Sequence, residues 1–258
     1  MTVIGRSLNH IWRWIGTAFS FLVFGIGGVL LPVIVVPVLN LLYRDVNKRQ
    51  SAAKRFIHHS FRFYIGMMRF LGVLTYQIDD VEKFRGAQLV LANHPSLIDV
   101  IFLIALLPNA NCVVKGRLVQ NPFTRGPIRT AGYIINDGSE DVLAMAKDAF
   151  VRGEALIVFP EGTRTEPDQA PLFKRGAAQI AVRTEADISP VLIECSPTTL
   201  TKSDRWYEVP DKKVHVRIQV QDMILAEQYM APVSPAKLAR VLTRDLNEYF
   251  NKELKVYE

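Results

Sequence analysis

The chain opens on a long apolar stretch and then settles into short apolar runs separated by turn residues, a rhythm of strands alternating with helices. Positions 15–43 hold no Asp, Glu, Lys or Arg, enough to cross a bilayer once. Pro32 and Pro37 interrupt that run and Gly25, Gly27 and Gly28 loosen it, so the pattern favours a re-entrant or interfacial helical hairpin over one straight span. Residues 51–72 read as an amphipathic helix, with Arg55, His58, His59, Arg62 and Arg69 among Phe56, Phe61, Phe63, Tyr64 and Phe70. A strand is predicted at 73–78, a buried strand at Leu89–Ala92 and an apolar helix from Leu97, opened by Pro95 and a Ser96 cap. A short strand at 112–114 and a loop or broken helix at 121–127 follow. Next come a Ser139-capped helix to 151, a buried strand at 155–159, a helix starting around 172–178 and a strand at 188–193. Val214–Val220 alternates as a half-exposed strand with His215 outward, and 234–254 is a polar amphipathic helix. Together these predict an α/β fold: a mixed, largely parallel sheet flanked by helices, with a membrane-associated helical hairpin at the N-terminus. Residues 1–72 form the membrane-anchoring part and residues 73–258 the folded domain.

Charge adds to this picture. The formal net charge is +6, and residues 1–60 hold Arg6, Arg13, Arg44, Lys48, Arg49, Lys54 and Arg55 against Asp45 alone; the rest balances at 24 basic and 24 acidic residues. Positive charge gathered around the apolar segment suits anionic lipid rather than nucleic acid. Because basic residues flank both ends of that segment, the positive-inside rule gives no orientation. The run lacks a small-residue cleavage pattern, so it reads as an anchor rather than a removed signal. Cys112 and Cys195 are isolated in strand-like runs, the pattern of inert thiols in a reducing compartment. His58 and His59 diverge on a helix and have no acid or Cys cluster nearby, so they read as interfacial, and no metal or cofactor site is expected.

Two stretches carry candidate chemistry. His94 stands at a strand-to-helix corner, where open α/β sheets present reactive groups, and Asp99 lies within a turn of it. An imidazole held by a carboxylate is a general base; the same two residues also occur as a turn His and an Asp favoured by the helix dipole. Behind the 155–159 strand comes Pro160-Glu161-Gly162-Thr163-Arg164-Thr165, with a glycine that permits close approach and a guanidinium shaped for phosphate or carboxylate. A local Glu161–Arg164 ion pair is the plainer reading. Lys115 and Arg117 after the 112–114 strand are either near a substrate anion or in a solvated turn.

Asn93-His94 with Asp99, followed some sixty residues later by Phe-Pro-Glu-Gly-Thr-Arg at 159–164, resembles the glycerolipid acyltransferase family, whose best-known members are the 1-acylglycerol-3-phosphate acyltransferases. The resemblance covers roughly residues 73–200; Phe173-Lys174 with Gly176, and Ile188 to Ile193, resemble further blocks. It implies catalysis by His94 and Asp99, acceptor binding by Glu161, Gly162, Thr163 and Arg164, and a role for Lys115 near the acceptor's negative group. One position departs. Where the family pattern Gly-x-Ile-x-Ile-Asp-Arg ends in Arg, this chain reads Gly132-Tyr-Ile-Ile-Asn-Asp137-Gly138, so Arg129, Lys115 or Arg125 must substitute, or the acceptor lacks a phosphate ester.

The resemblance implies transfer of a fatty acyl group from acyl-CoA or acyl-carrier protein to the hydroxyl of a lysophospholipid, 1-acylglycerol-3-phosphate first among them, at the cytoplasmic face of a bacterial inner membrane. The partners implied are membrane lipids, the lysophospholipid acceptor and the thioester donor, with no nucleic acid. No Gly-x-Ser-x-Gly elbow supplies a serine nucleophile, so the substrate hydroxyl itself attacks, with backbone N–H groups near Ser96 as oxyanion donors. A phosphate-free acceptor, hydrolysis by the same pair, and a non-catalytic lipid-binding protein remain as alternatives.

Overall fold

The computed structural model describes residues 3–136, 141–166 and 169–255. Helix α1 (Val3–Leu30) runs through a π-helical turn (Leu31–Val35) directly into α2 (Val36–Leu42). The expected reversal inside 15–43 does not occur. The wide turn accommodates Pro32, which lacks an N–H and would clash with the preceding turn of a regular helix. The chain reverses instead at Asp45, whose side chain accepts from Lys48 N–H at 2.8 Å and caps α3 (Val46–Phe70). Helices α1 and α3 then lie antiparallel: Trp12 Nε1 donates to Leu71 O at 2.8 Å and Tyr64 OH to Ser20 O at 3.1 Å. The hairpin exists, but α3 is its returning arm. Among the described residues, Ser7–Leu42 is the one helix long and apolar enough to cross a membrane, with a mean hydropathy of 2.7 over its most apolar window.

Helix α3 is more than an interfacial helix. Its inner face, with Ile57, Tyr64, Ile65 and Met68, joins the same apolar core as the central strands. His58, expected at the headgroup layer, is buried with Nδ1 2.9 Å from Ile104 O, and burial lowers its affinity for a proton. Lys54 is buried too, its Nζ 2.6 Å from Glu154 Oε2, and Asn111 Nδ2 donates to the same oxygen at 3.1 Å. Arg152 also donates to both Glu154 oxygens at 3.2 Å, so the carboxylate keeps a cation when Lys54 is lost. Lys54→Met is therefore expected to lower unfolding stability by about 1–3 kcal/mol, with part of the loss recovered when Glu154→Gln is added. Chemical unfolding of both variants checks this, and an unchanged midpoint for Lys54→Met would contradict it.

Among the described residues, seven strands form one sheet in the order β1 (Leu74–Asp79), β7 (Val214–Val220), β6 (Ile188–Ser196), β2 (Leu89–Ala92), β5 (Ala155–Val158), β3 (Ala110–Lys115), β4 (Ile134–Asn136). Strands β2 to β6 are parallel, β7 is antiparallel to β6, and β1 runs with β7. Helices α4 (Asp99–Leu106) and α5 (Pro122–Ala131) cover one face together with α3. Helices α6 (Asp141–Val151), α7 (Arg175–Thr184) and α8 (Pro235–Lys255) cover the other. The segment 121–127, read as loop or broken helix, begins α5, because Asn121 caps it by accepting from Phe123 N–H and Pro122 falls in the first turn, where no donor is missed. The Ser139 cap and the departing residues Asp137 and Gly138 lie outside the described residues.

This topology fixes where chemistry can occur. From β2 the chain leaves through α4 on one face, and from the neighbouring β5 it leaves through α7 on the other. Adjacent parallel strands whose connections part in this way open a crevice at their carboxyl ends. His94 follows β2 and Glu161 follows β5.

Candidate active site

The four residues of β2 are fully buried, and Asn93 extends the strand with its side chain. Asn93 Nδ2 donates to Ile193 O and Asn93 Oδ1 accepts from Ile193 N–H, both at 2.8 Å, which pins the following turn to β6. His94 Nδ1 lies 2.9 Å from Asp99 Oδ2, and the imidazole stacks on Phe159 with centroids 4.1 Å apart at 22°. Asp99 is 0% exposed, and the same Oδ2 accepts Ser96 N–H at 2.7 Å. Burial raises the Asp99 carboxyl, opposed by the hydrogen bonds from His94 and Ser96. A carboxylate accepting at Nδ1 places the proton there and leaves Nε2 as the basic nitrogen. The imidazole is thus oriented on two sides, by a carboxylate and by an aromatic ring.

Helix α4 begins at Asp99 itself, with Ile98 as an N-cap that makes no side-chain bond. Ser96 does not cap it: its Oγ donates to Thr199 O at 2.8 Å. Its N–H is taken by Asp99 and that of Leu97 by Leu200 O, so neither serves as the expected oxyanion donor. The buried carboxylate demands donors, and the nearest backbone N–H answers it before any substrate can.

The second motif closes on the first. Glu161 is buried, and its Oε1 accepts from His94 N–H and from Thr165 Oγ1, both at 2.9 Å. Thr165 N–H donates to His94 O at 2.7 Å, so the two loops are tied by backbone as well. Burial raises the Glu161 carboxyl against these bonds. Gly162 sits at φ 66°, which an L side chain rarely adopts, and Thr163 is half-buried in the same turn. One nitrogen of Arg164 donates to Leu200 O at 2.7 Å and Thr201 O at 2.6 Å, so the guanidinium holds the loop that also receives Ser96 and Leu97. Glu161 and Arg164 do not pair with each other; each stitches a different loop to the His94 turn. Glu161→Ala leaves the buried His94 N–H unanswered, a cost of about 1–3 kcal/mol. The expected outcome is a roughly tenfold or greater drop in turnover together with a lowered unfolding midpoint, both measured on purified variant; wild-type values for both would contradict the stitching role.

Lys115 ends β3, exposed, and partial burial followed by Arg117, Lys174, Lys202 and Arg164 weakens its hold on a proton. It therefore shares a cationic rim with Arg164. Arg129 and Arg125 stand exposed on α5. Asn93, Phe159 and Thr165 stand in or beside the two sequence motifs without a role assigned to them there, and the 199–201 loop carries no sequence signal at all.

From Leu97 and Ile98, beside the dyad, a cavity of about 920 Å³ extends between α1, α3 and α4. Its walls include Phe24, Ile57, Ile101, Leu200 and Trp206. Almost all of this lining is apolar, the environment an alkyl chain requires.

Residues 73–194 match the family model described as Acyltransferase. A 1-acyl-sn-glycerol-3-phosphate acyltransferase of Helicobacter pylori is 34% identical over 132 residues, 48% of this chain and 56% of the relative. One from Pseudomonas aeruginosa is 26% identical over 137 residues, 50% and 53% of the two. The chain thus spans little more than half the length of these relatives. The crystal structure of the 1-acyl-sn-glycerophosphate (LPA) acyltransferase PlsC from Thermotoga maritima superposes with a TM-score of 0.69 at 20% identity, over 97% of this chain and 98% of that one. That likeness establishes a shared fold, with its largely parallel seven-stranded sheet and long N-terminal apolar helix. Residues 73–194 are thus similar to the acyltransferase family, and the fold is that of a solved member.

Proposed function

We propose that the protein is a membrane-associated O-acyltransferase that moves a fatty acyl group from a thioester, acyl-CoA or acyl-carrier protein, to the hydroxyl of 1-acylglycerol-3-phosphate. The observation that carries this reading is the His94–Asp99 contact, with the intervening Leu97 and Ile98 lining the apolar cavity. The names of the Helicobacter and Pseudomonas relatives supply the acceptor.

With the acyl chain in the cavity, the thioester carbonyl lies beside the imidazole. His94 Nε2 takes the acceptor's hydroxyl proton as that oxygen bonds to the carbonyl carbon. Asp99 stabilises the imidazolium, as the carboxylate does in a Ser-His-Asp site. Collapse of the tetrahedral intermediate breaks the carbon–sulfur bond, and the proton on His94 passes to the departing thiolate. Acyl ester and free thiol are the balanced products.

Membrane attachment follows from the outer surface. Leu8, Trp12, Phe19, Leu22, Val33 and Leu41 of α1 and its continuation are exposed, as are Phe56, Phe63 and Phe70 on α3. Those three Phe follow Arg55, Arg62 and Arg69 at seven-residue intervals, so aromatic and cationic rows run side by side along the helix. Apolar side chains edged by Arg suit the boundary between acyl chains and anionic headgroups.

The test offers purified protein acyl-CoA or acyl-carrier-protein donor with 1-acylglycerol-3-phosphate or a phosphate-free lipid hydroxyl. Acylation of the phosphate acceptor supports the proposal; acylation of the phosphate-free lipid alone, or release of free fatty acid alone, replaces it.

A further inference from the structure

The His94 turn is rimmed by positive charge that the acid–base pair does not use. Lys115, Arg117, Lys174 and Lys202 are exposed and Arg164 is half-buried. Lys115 senses all the other four, so they lie within electrostatic reach of one another. Lys202 is answered by Glu166 at 3.1 Å and Arg164 by two carbonyls. Among the described residues, no carboxylate pairs with Lys115, Arg117 or Lys174.

Lys174 lies against the Glu161 loop, where its N–H donates to Pro160 O at 2.8 Å. Its side chain then lies along that loop: a Cβ added to Gly162 would sit 3.3 Å from Lys174 Nζ and 3.6 Å from its Cδ. Glu161, next to Gly162, holds the N–H of His94 itself. The ammonium is therefore one residue removed from the contact that joins the two motifs.

We propose that Lys174 is an acceptor-binding residue: its ammonium, laid across Gly162, takes a phosphomonoester on the acceptor, with Lys115 as its neighbour in the same anion site. This rests on the acyltransferase reading above. Chain geometry selects the acceptor over the donor. In a glycerol 3-phosphate the attacking oxygen and the phosphorus are four bonds apart, within roughly 5 Å at about 1.5 Å per bond. In a pantetheine thioester the nearest phosphorus is roughly a dozen bonds from sulfur, beyond the His94 turn when the carbonyl is in place. A phosphate bearing up to two negative charges also relieves the mutual repulsion of the unpaired ammonium groups, and a flexible ammonium follows it as the hydroxyl aligns.

The experiment compares wild type with Lys174→Met, which keeps an apolar stem on Gly162, and Lys174→Arg, which keeps the charge. For Lys174→Met, the KM for 1-acylglycerol-3-phosphate is expected to rise about 10- to 100-fold, with kcat and the KM for acyl-CoA little changed. Lys174→Arg is expected to recover most of that loss. An unchanged acceptor KM in Lys174→Met, a rise in the donor KM instead, or no recovery with Arg overturns the proposal. Calorimetry with sn-glycerol 3-phosphate reads the same site without turnover. Saturable binding that weakens in Lys174→Met supports it, while no wild-type binding, or equal binding, overturns it. If wild type binds this probe but transfers no acyl group, the anion site stands and the acyltransferase reading falls.

Discussion

Replacing His94 with alanine is expected to lower kcat for acyl transfer by about 10²- to 10⁴-fold, the range that a positioned general base supplies. The KM values should change little, because the imidazole acts on the proton in flight rather than on the bound headgroup or chain. The turn itself should persist. Its contacts to Glu161 Oε1 and Thr165 N–H are made by the His94 backbone, and Asn93 anchors it to β6 independently. Stability should therefore fall by what the Phe159 stacking contributed, about 0.5–1.5 kcal/mol, together with the lost hydrogen bond to buried Asp99, about 1–3 kcal/mol. Steady-state kinetics and chemical unfolding on one preparation separate the two effects. A variant that keeps activity within a few-fold of wild type would remove His94 from the reaction.

Asp99→Asn is expected to be almost as damaging, for a different reason. The Asn carbonyl oxygen would satisfy Ser96 N–H, which now bonds Asp99 Oδ2 at 2.7 Å. That same oxygen also faces His94 Nδ1, so the imidazole keeps its orientation but loses the negative charge that stabilises the imidazolium. The corresponding change in a Ser-His-Asp site costs about 10⁴-fold, and a loss of about 10²- to 10⁴-fold is expected here. Stability should move little or rise, since burial already disfavours the ionised carboxylate. The pH profile supplies a second readout. Because burial raises the Asp99 carboxyl, activity should decline on acidification sooner than an exposed carboxylate would dictate, as the dyad takes up its extra proton. In Asp99→Asn that carboxylate contribution is gone, and the acid side of the profile should change accordingly. An active Asp99→Asn variant with an unaltered profile would assign Asp99 to folding only.

The strand–helix alternation was legible because parallel strands buried on both faces read as short, unbroken apolar runs; Leu89–Ala92 was placed to the residue. The approach of His94 to Asp99 was legible for a local reason, since five residues across a helix start keep the two within reach. What pattern could not supply was long-range. Glu161 and Arg164 read as a substrate-facing pair, yet their partners are His94 N–H on another strand and carbonyls at 200 and 201. Nothing in the spacing signals loop 199–201, which lies some hundred residues from Ser96 but accepts its hydroxyl. The hairpin was misplaced for the opposite reason: proline was read as a break, where a π-helical turn lets the helix continue. Lys54 and His58 looked interfacial because a helix of mixed Arg, His and Phe does not reveal which polar residues find buried partners such as Glu154 and Ile104 O.

The central claim is that the His94–Asp99 pair drives acyl transfer to a phosphate-bearing lipid hydroxyl. Its most direct test is product formation from acyl-labelled acyl-CoA and 1-acylglycerol-3-phosphate, resolved by lipid class for wild type and His94→Ala side by side. The account predicts labelled phosphatidic acid from wild type and, from His94→Ala, a rate lower by about 10²-fold or more. Label appearing only in free fatty acid, or equal phosphatidic acid from both proteins, would contradict it.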